Sequence, residues 1–313
     1  MARNVRRAVT SERSRVDDRQ RHLFLQKPPQ HRMVFEDWQR HGILLPFSHD
    51  REIFTVPNPT IFQKPSWPMI ASDNPVDGWL LSDVLQGNSG SARNDFQGML
   101  YHLIRNQLTL FHPRLRHHAC HFQLYSIDDA AELSEPIKPL FSFDRIEVAN
   151  MSGVRKLGPD QTVHLMTPLL RAPQENPHAT LITLFLTAVT ETYKMTAKAT
   201  GDKDELRRMF AYDGKPPSTP TFRFDARLLA LLNAVGIVRD GDEYFNRYME
   251  LLDFEEIEEQ CGVAMKEPHT IIEKWPLRIK LRPGQTGAKE EFERLLASGQ
   301  MGMQRYVEWQ RTE

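Results

Sequence analysis

Cysteine is scarce. Cys120 and Cys261 are the only two in 313 residues, too few for a disulfide framework, which points to a reducing compartment. Long apolar runs are missing as well. No stretch approaches the roughly 18 residues a membrane helix needs, and the N-terminus lacks the apolar core of a secretory signal. Net charge is close to zero, with 40 Lys and Arg against 41 Asp and Glu. No whole-molecule field therefore draws the chain to nucleic acid or a membrane. A Gly-x-Gly-x-x-Gly loop, the strongest sequence sign of a dinucleotide cradle, is absent. Internal repeats and low-complexity tracts are absent too. What remains is a globular composition, 40% hydrophobic and 26% charged, long enough to bury a core. The expected location is cytoplasmic, with the nucleus as the alternative.

The stretch from His121 to Val189 carries the most information. It reads as a strand at His121–Ile127, an acidic turn with Asp128 and Asp129, and a second strand at Phe143–Asn150. A helix from about Asp160 to Arg171 follows, then an apolar run from Thr180 to Val189. Strands alternating with helices predict parallel pairing, and such sheets hold ligands beyond the carboxyl ends of their strands. Asp128, Asp129 and Asn150 occupy those ends. The layout is that of a class I methyltransferase, in which strand-end carboxylates accept hydrogen bonds from the adenine and ribose of S-adenosylmethionine. The expected fold is α/β: a partial Rossmann-like, mostly parallel sheet with a helical C-terminal extension.

Around this block the chain divides into four parts. Residues 1–32 hold nine basic and three acidic side chains, which read as a solvated, marginally helical tail rather than a nucleic-acid contact. Residues 33–213 form the methyltransferase-like region. It opens with a helix at 33–41 that Gly42 caps, followed by a proline-rich packed loop from Pro57 to Pro75 and an amphipathic helix from Asn94 to Phe111. Residues 214–220, with three prolines, read as a linker. Residues 221–313 read as mostly helical, with helices near 225–236, 242–252, 253–261 and 288–296 and one strand at Leu277–Leu281.

The nearest approach to a cofactor loop is Trp79–Leu85 as a strand, then Gly87 and Gly90, then the helix from Asn94. Its spacing is Gly-x-x-Gly, and a polar surface loop accounts for it equally. His112, His117, His118, Cys120 and His121 crowd together, but zinc requires about four convergent ligands. The simpler account is a basic connector into a strand, with Cys120 facing the core beside Phe122 and Leu124, so no metal is expected. His178 stands at a strand edge as a base or as a turn residue. Cys261 ends an acidic helix, which raises a thiol pKa and argues against a nucleophile.

The segments 38–47 and 57–62, with Phe143–Asn150 and Asn176–Phe185, resemble an uncharacterised fungal family often found beside MYND-type zinc fingers. That family is distantly similar to a dynein axonemal assembly factor whose core is a methyltransferase-like Rossmann domain. The resemblance spans roughly residues 33–195. It implies a methyltransferase-like fold whose first nucleotide-binding strands are not represented in this chain, and no established reaction. The expected role is therefore an assembly or interaction module with a protein partner and no cofactor. The alternative is an S-adenosylmethionine-dependent enzyme using Gly87, Gly90, Asp128, Asp129 and Asn150.

Overall fold

The computed structural model describes residues 24, 27, 29–47, 49–52, 56, 74–90, 92–125, 142–196, 203–213, 234, 236–300 and 302–313. In chain order its elements are α1 (Pro29–His41), a 3₁₀ turn (Pro75–Gly78), α2 (Leu81–Val84), α3 (Phe96–His117), β1 (Arg145–Val148) and α4 (Pro159–Met166). A second 3₁₀ turn (Thr167–Leu169), β2 (Thr180–Phe185), α5 (Ala188–Thr196), α6 (Lys203–Asp213) and α7 (Gly241–Leu251) follow. The last are α8 (Phe254–Cys261), β3 (Val263–Met265), α9 (Ala288–Ser298) and β4 (Arg305–Arg311). The chain divides into two compact units. One comprises Met1–Cys120, Leu206–Ile237 and Ile279–Met301, the other His121–Glu205, Val238–Arg278 and Gly302–Glu313. The expected linker at 214–220 and most of the proline-rich loop lie outside the described residues.

In the first unit α1 begins four residues before the expected Met33 and buries Phe35 and Trp38. Gly42, at φ 63°, closes it by donating its amide to Trp38 O at 2.7 Å, a left-handed cap that glycine adopts without strain. The strand expected at Trp79–Leu85 does not form. Asn74 caps a 3₁₀ turn there, accepting from the Val76 amide, and Pro75 sits at its first position, where a missing N–H costs nothing. Leu81 and Val84, three residues apart, are then buried together on α2. The strand expected at Leu277–Leu281 is irregular as well. The Lys280 and Leu281 amides donate to the Glu291 carboxylate at 2.9 and 2.8 Å, so they have no need of a neighbouring strand.

The second unit holds the sheet, in the order β1-β2-β4-β3. β1 and β2 run parallel from Arg145↔Thr180 to Val148↔Thr183, with α4 in the connection between them, as the sequence pattern predicts. β4 returns antiparallel to β2, from Leu181↔Trp309 to Phe185↔Arg305, and β3 is antiparallel to β4. The α/β class holds, but the sheet is mixed rather than mostly parallel: among the described residues one pair is parallel and two are antiparallel. The C-terminal region therefore contributes two strands as well as helices. The apolar run at 180–189 divides, with β2 ending at Phe185 and α5 starting at Ala188.

Phe185 centres an aromatic cluster with Phe245, Tyr248 and Phe254, its ring centroids 5.6 to 5.9 Å from theirs. Trp309 completes the layer against Phe254. Rings of this size supply much of the apolar area a small core buries. His121–Tyr125, expected to be a strand in this unit, is irregular, with Phe122 and Leu124 exposed. Asp128 and Asp129 lie outside the described residues.

Candidate functional site

The carboxyl edge of the parallel pair is built by the turn after β1, by the β2–α5 junction and by the start of β4. Asn150 leaves β1 with φ 55° and is exposed. Asparagine tolerates this left-handed geometry better than most residues, and it lets the chain fold back so that the Leu157 amide donates to Met151 O at 3.1 Å. Within this turn Ser152 is fully buried, and its Oγ has no hydrogen-bond partner among the described residues. Tyr248, from α7, is also buried, with a hydroxyl that finds no well-formed bond among the described residues. Burial first, then the charge of Glu191, push its pKa up to about 12, with the Val154 backbone opposing. Glu191 is itself held by Arg155 at 2.9 Å.

Arg305 opens β4 at the same edge, opposite Phe185. Its guanidinium is fully buried, stacks on Trp275 at 3.6 Å and forms an ion pair with Asp242 at 3.5 Å. Two of its nitrogens, Nε and Nη2, lack a hydrogen bond among the described residues. Burial pulls its pKa down to about 10, against Asp242 and Asp240. A side chain on Gly241 would overlap Nη2, so the start of α7 is closed tightly over this charge. The edge thus combines buried hydroxyls, a stacked cation and a left-handed asparagine, groups that could donate to an acceptor. Ser152 stands two residues past Asn150 and could have been reached by reading the strand end further. Tyr248, Trp275 and Arg305 carry no local signal that marks them.

The glycines expected in a cofactor loop are placed differently. Gly87 lies against α3, where a Cβ would overlap the Met99 carbonyl oxygen, and its amide donates to Val84 O at 2.9 Å. Gly90, at φ 69°, is exposed, and its amide donates to Asn88 Oδ1 at 2.9 Å. Phosphate and cofactor cradles work by pointing free backbone amides at the ligand. Both of these amides are already engaged within the turn.

The remaining candidates do not converge. His112 and His117 ride on α3, Cys120 is exposed rather than in the core, and His118 and His121 follow in irregular chain. Among the described residues no group of His, Cys, Asp or Glu is arranged to hold a metal. His178 is exposed before the amino end of β2, opposite the ligand edge, and its amide donates to Asn176 Oδ1 at 2.9 Å, a turn role. The Cys261 thiol pKa is raised, first by burial and then by Asp160, the direction expected of a non-nucleophile. No helix among the described residues is long and apolar enough to cross a membrane. No protein-family model, no curated protein and no solved structure matches this chain.

Proposed function

We propose that this chain is a methyltransferase-like protein that serves as an assembly or interaction module in the cytoplasm or nucleus, without transferring a methyl group. The fold half of the reading is supported by the strand order. A parallel β1–β2 pair joined through α4, with β4 reversed between β2 and β3, supports reading these four strands as the carboxyl half of a class I methyltransferase sheet. One reversed strand on a doubly wound sheet is a recurrent arrangement. The resemblance of residues 33–195 to the fungal MYND-associated family points the same way.

The observation that carries the non-catalytic half is the engagement of both candidate loop amides, Gly87 with Val84 and Gly90 with Asn88. A cofactor would have to break these bonds and displace α3 from Gly87. Calorimetric titration with S-adenosylmethionine should therefore give no heat of binding up to millimolar ligand. A micromolar dissociation constant would reject the reading.

A second reading, an S-adenosylmethionine-dependent methyltransferase of unknown substrate, is favoured by one feature: the buried Ser152 Oγ, two residues past Asn150, which has no hydrogen-bond partner among the described residues. Buried polar groups normally have partners, and a ligand at the carboxyl edge would supply them. Under that reading the same titration shows binding, and Asp128→Ala abolishes it while the circular dichroism spectrum is retained.

A further inference from the structure

In the first unit, the outer half of α3 is a surface rather than core. Its first turns bury Phe96, Met99 and Leu100, but Leu108 is 60%, Phe111 42% and Leu115 39% exposed. Tyr101, Ile104, Leu108, Phe111 and Leu115 recur at intervals of three and four, so they form one stripe along the helix. The stripe and Leu44 line an open depression of about 530 Å³, formed by Leu44, Tyr101, Ile104 and Leu108 with Arg105 and His112 flanking them. The stretch from Phe96 to Tyr125 contains no acidic residue, while Arg105, Arg114 and Arg116 add three positive charges. Apolar side chains left in water on a helix this basic imply a partner that supplies both apolar surface and negative charge.

We infer that the Tyr101–Leu115 face of α3 docks an acidic amphipathic helix of another protein, with apolar side chains in the depression and carboxylates against Arg105 and His112. The inference rests on the interaction-module reading and names its partner class and its surface. The stripe runs 14 residue steps, about 21 Å at helical rise, the length of a four-turn helix laid in a groove. Among the described residues, the acidic helices α7, α8 and α9 cannot fill this role. Their apolar faces are already buried, by Phe245 and Tyr248 on α7, Phe254 and Ile257 on α8, and Phe292 and Leu295 on α9. Pairing two copies through α3 would bring like charges together. An anionic lipid surface is the competing occupant, and the vesicle arm of the test separates it from a helix.

The test uses the full chain and a fluorescein-labelled 18-residue helical peptide with leucines at three- and four-residue intervals and glutamates elsewhere. A second peptide has lysine in place of every glutamate. Fluorescence anisotropy should saturate with the acidic peptide and not with the basic one, and the affinity should fall as salt is raised. Arg105→Glu and Leu108→Asp alter exposed positions, so melting temperature should hold while affinity drops roughly tenfold or more for each. Equal binding of both peptides, or wild-type affinity in both variants, overturns the assignment. So does tighter binding to phosphatidylserine vesicles than to the acidic peptide, or self-association that Leu108→Asp abolishes. S-adenosylmethionine binding together with acidic-peptide binding would reject the non-catalytic reading and leave this surface standing. Loss of peptide binding alone would reject the surface and leave that reading standing.

Discussion

Glu308 is fully buried in β4, yet its carboxylate is saturated with donors. Oε2 accepts from the Thr270 amide and hydroxyl at 2.8 and 2.9 Å, and Oε1 from the Ile271 and Ile272 amides at 2.7 and 2.8 Å. Burial alone would raise its pKa, but the three amides and the hydroxyl favour the anion more strongly and hold it below the ordinary 4.5. The charge therefore binds the 270–272 loop to the strand. Replacing it by alanine leaves three amides without a partner, and Glu308→Ala should cost about 3–5 kcal/mol in guanidinium denaturation. The sign with pH follows from the depressed value. A carboxyl whose folded pKa lies below its unfolded one stabilises above the unfolded pKa, and that contribution is lost as pH falls through the folded value. The gap between wild type and Glu308→Ala should thus be full above about pH 4.5 and shrink below it. Parallel pH profiles would show that the carboxylate does not hold the loop.

At the scale of elements, α2 and α3 show how one glycine can be structural where a sequence suggests a ligand loop. Asp95 caps α3, accepting from the Gly98 amide at 2.7 Å and also from the Phe47 amide at 2.9 Å, which fixes where the helix begins. The turn from α2 then presses Gly87 onto the Met99 carbonyl. Gly87→Ala should destabilise by about 1–3 kcal/mol because neither backbone can move cheaply. Gly90→Ala, in open space but at φ 69°, should cost only about 1 kcal/mol. Thermal denaturation of the two variants measures the difference. Equal costs would mean that the α2–α3 contact is loose enough to open for a cofactor.

These elements also mark the limit of what the sequence revealed. β1, α4 and β2 were legible because their pattern is local: apolar runs separated by a proline-started helix. The cap of α1 was legible in Gly42. The strand proposed at His121 had the alternation but leaves Leu124 98% exposed, since a period of two says nothing about whether a second strand is present to pair with it. At the carboxyl edge Asn150 was legible from its place after a strand, whereas Arg305 was not. Its setting depends on Trp275 and Asp242, brought together only by the tertiary fold.

At the scale of the second unit, β4 decides whether the sheet holds together. It went unrecognised because Arg305, Glu308 and Arg311 give it the look of a polar tail, and buried charges are tolerable only with partners supplied from elsewhere in the chain. The partners lie far off in sequence: Trp275 for Arg305, the 270–272 loop for Glu308, and Leu170 O at 3.1 Å for the half-buried Arg311. β4 is central, with β2 on one side and β3 on the other, so its loss would expose two strand edges at once and take Val307 and Trp309 out of the core. A central strand is coupled to everything it pairs with, unlike a peripheral helix. Deleting residues 305–313 should therefore unfold the second unit as a whole, and hydrogen exchange should show amide protection lost across β1 and β2. Deleting only Glu313, which follows the strand, should leave that protection unchanged. Retained protection at Leu181–Phe185 in the longer deletion would mean that β1 and β2 hold without β4, and that the strand is peripheral to the unit's stability.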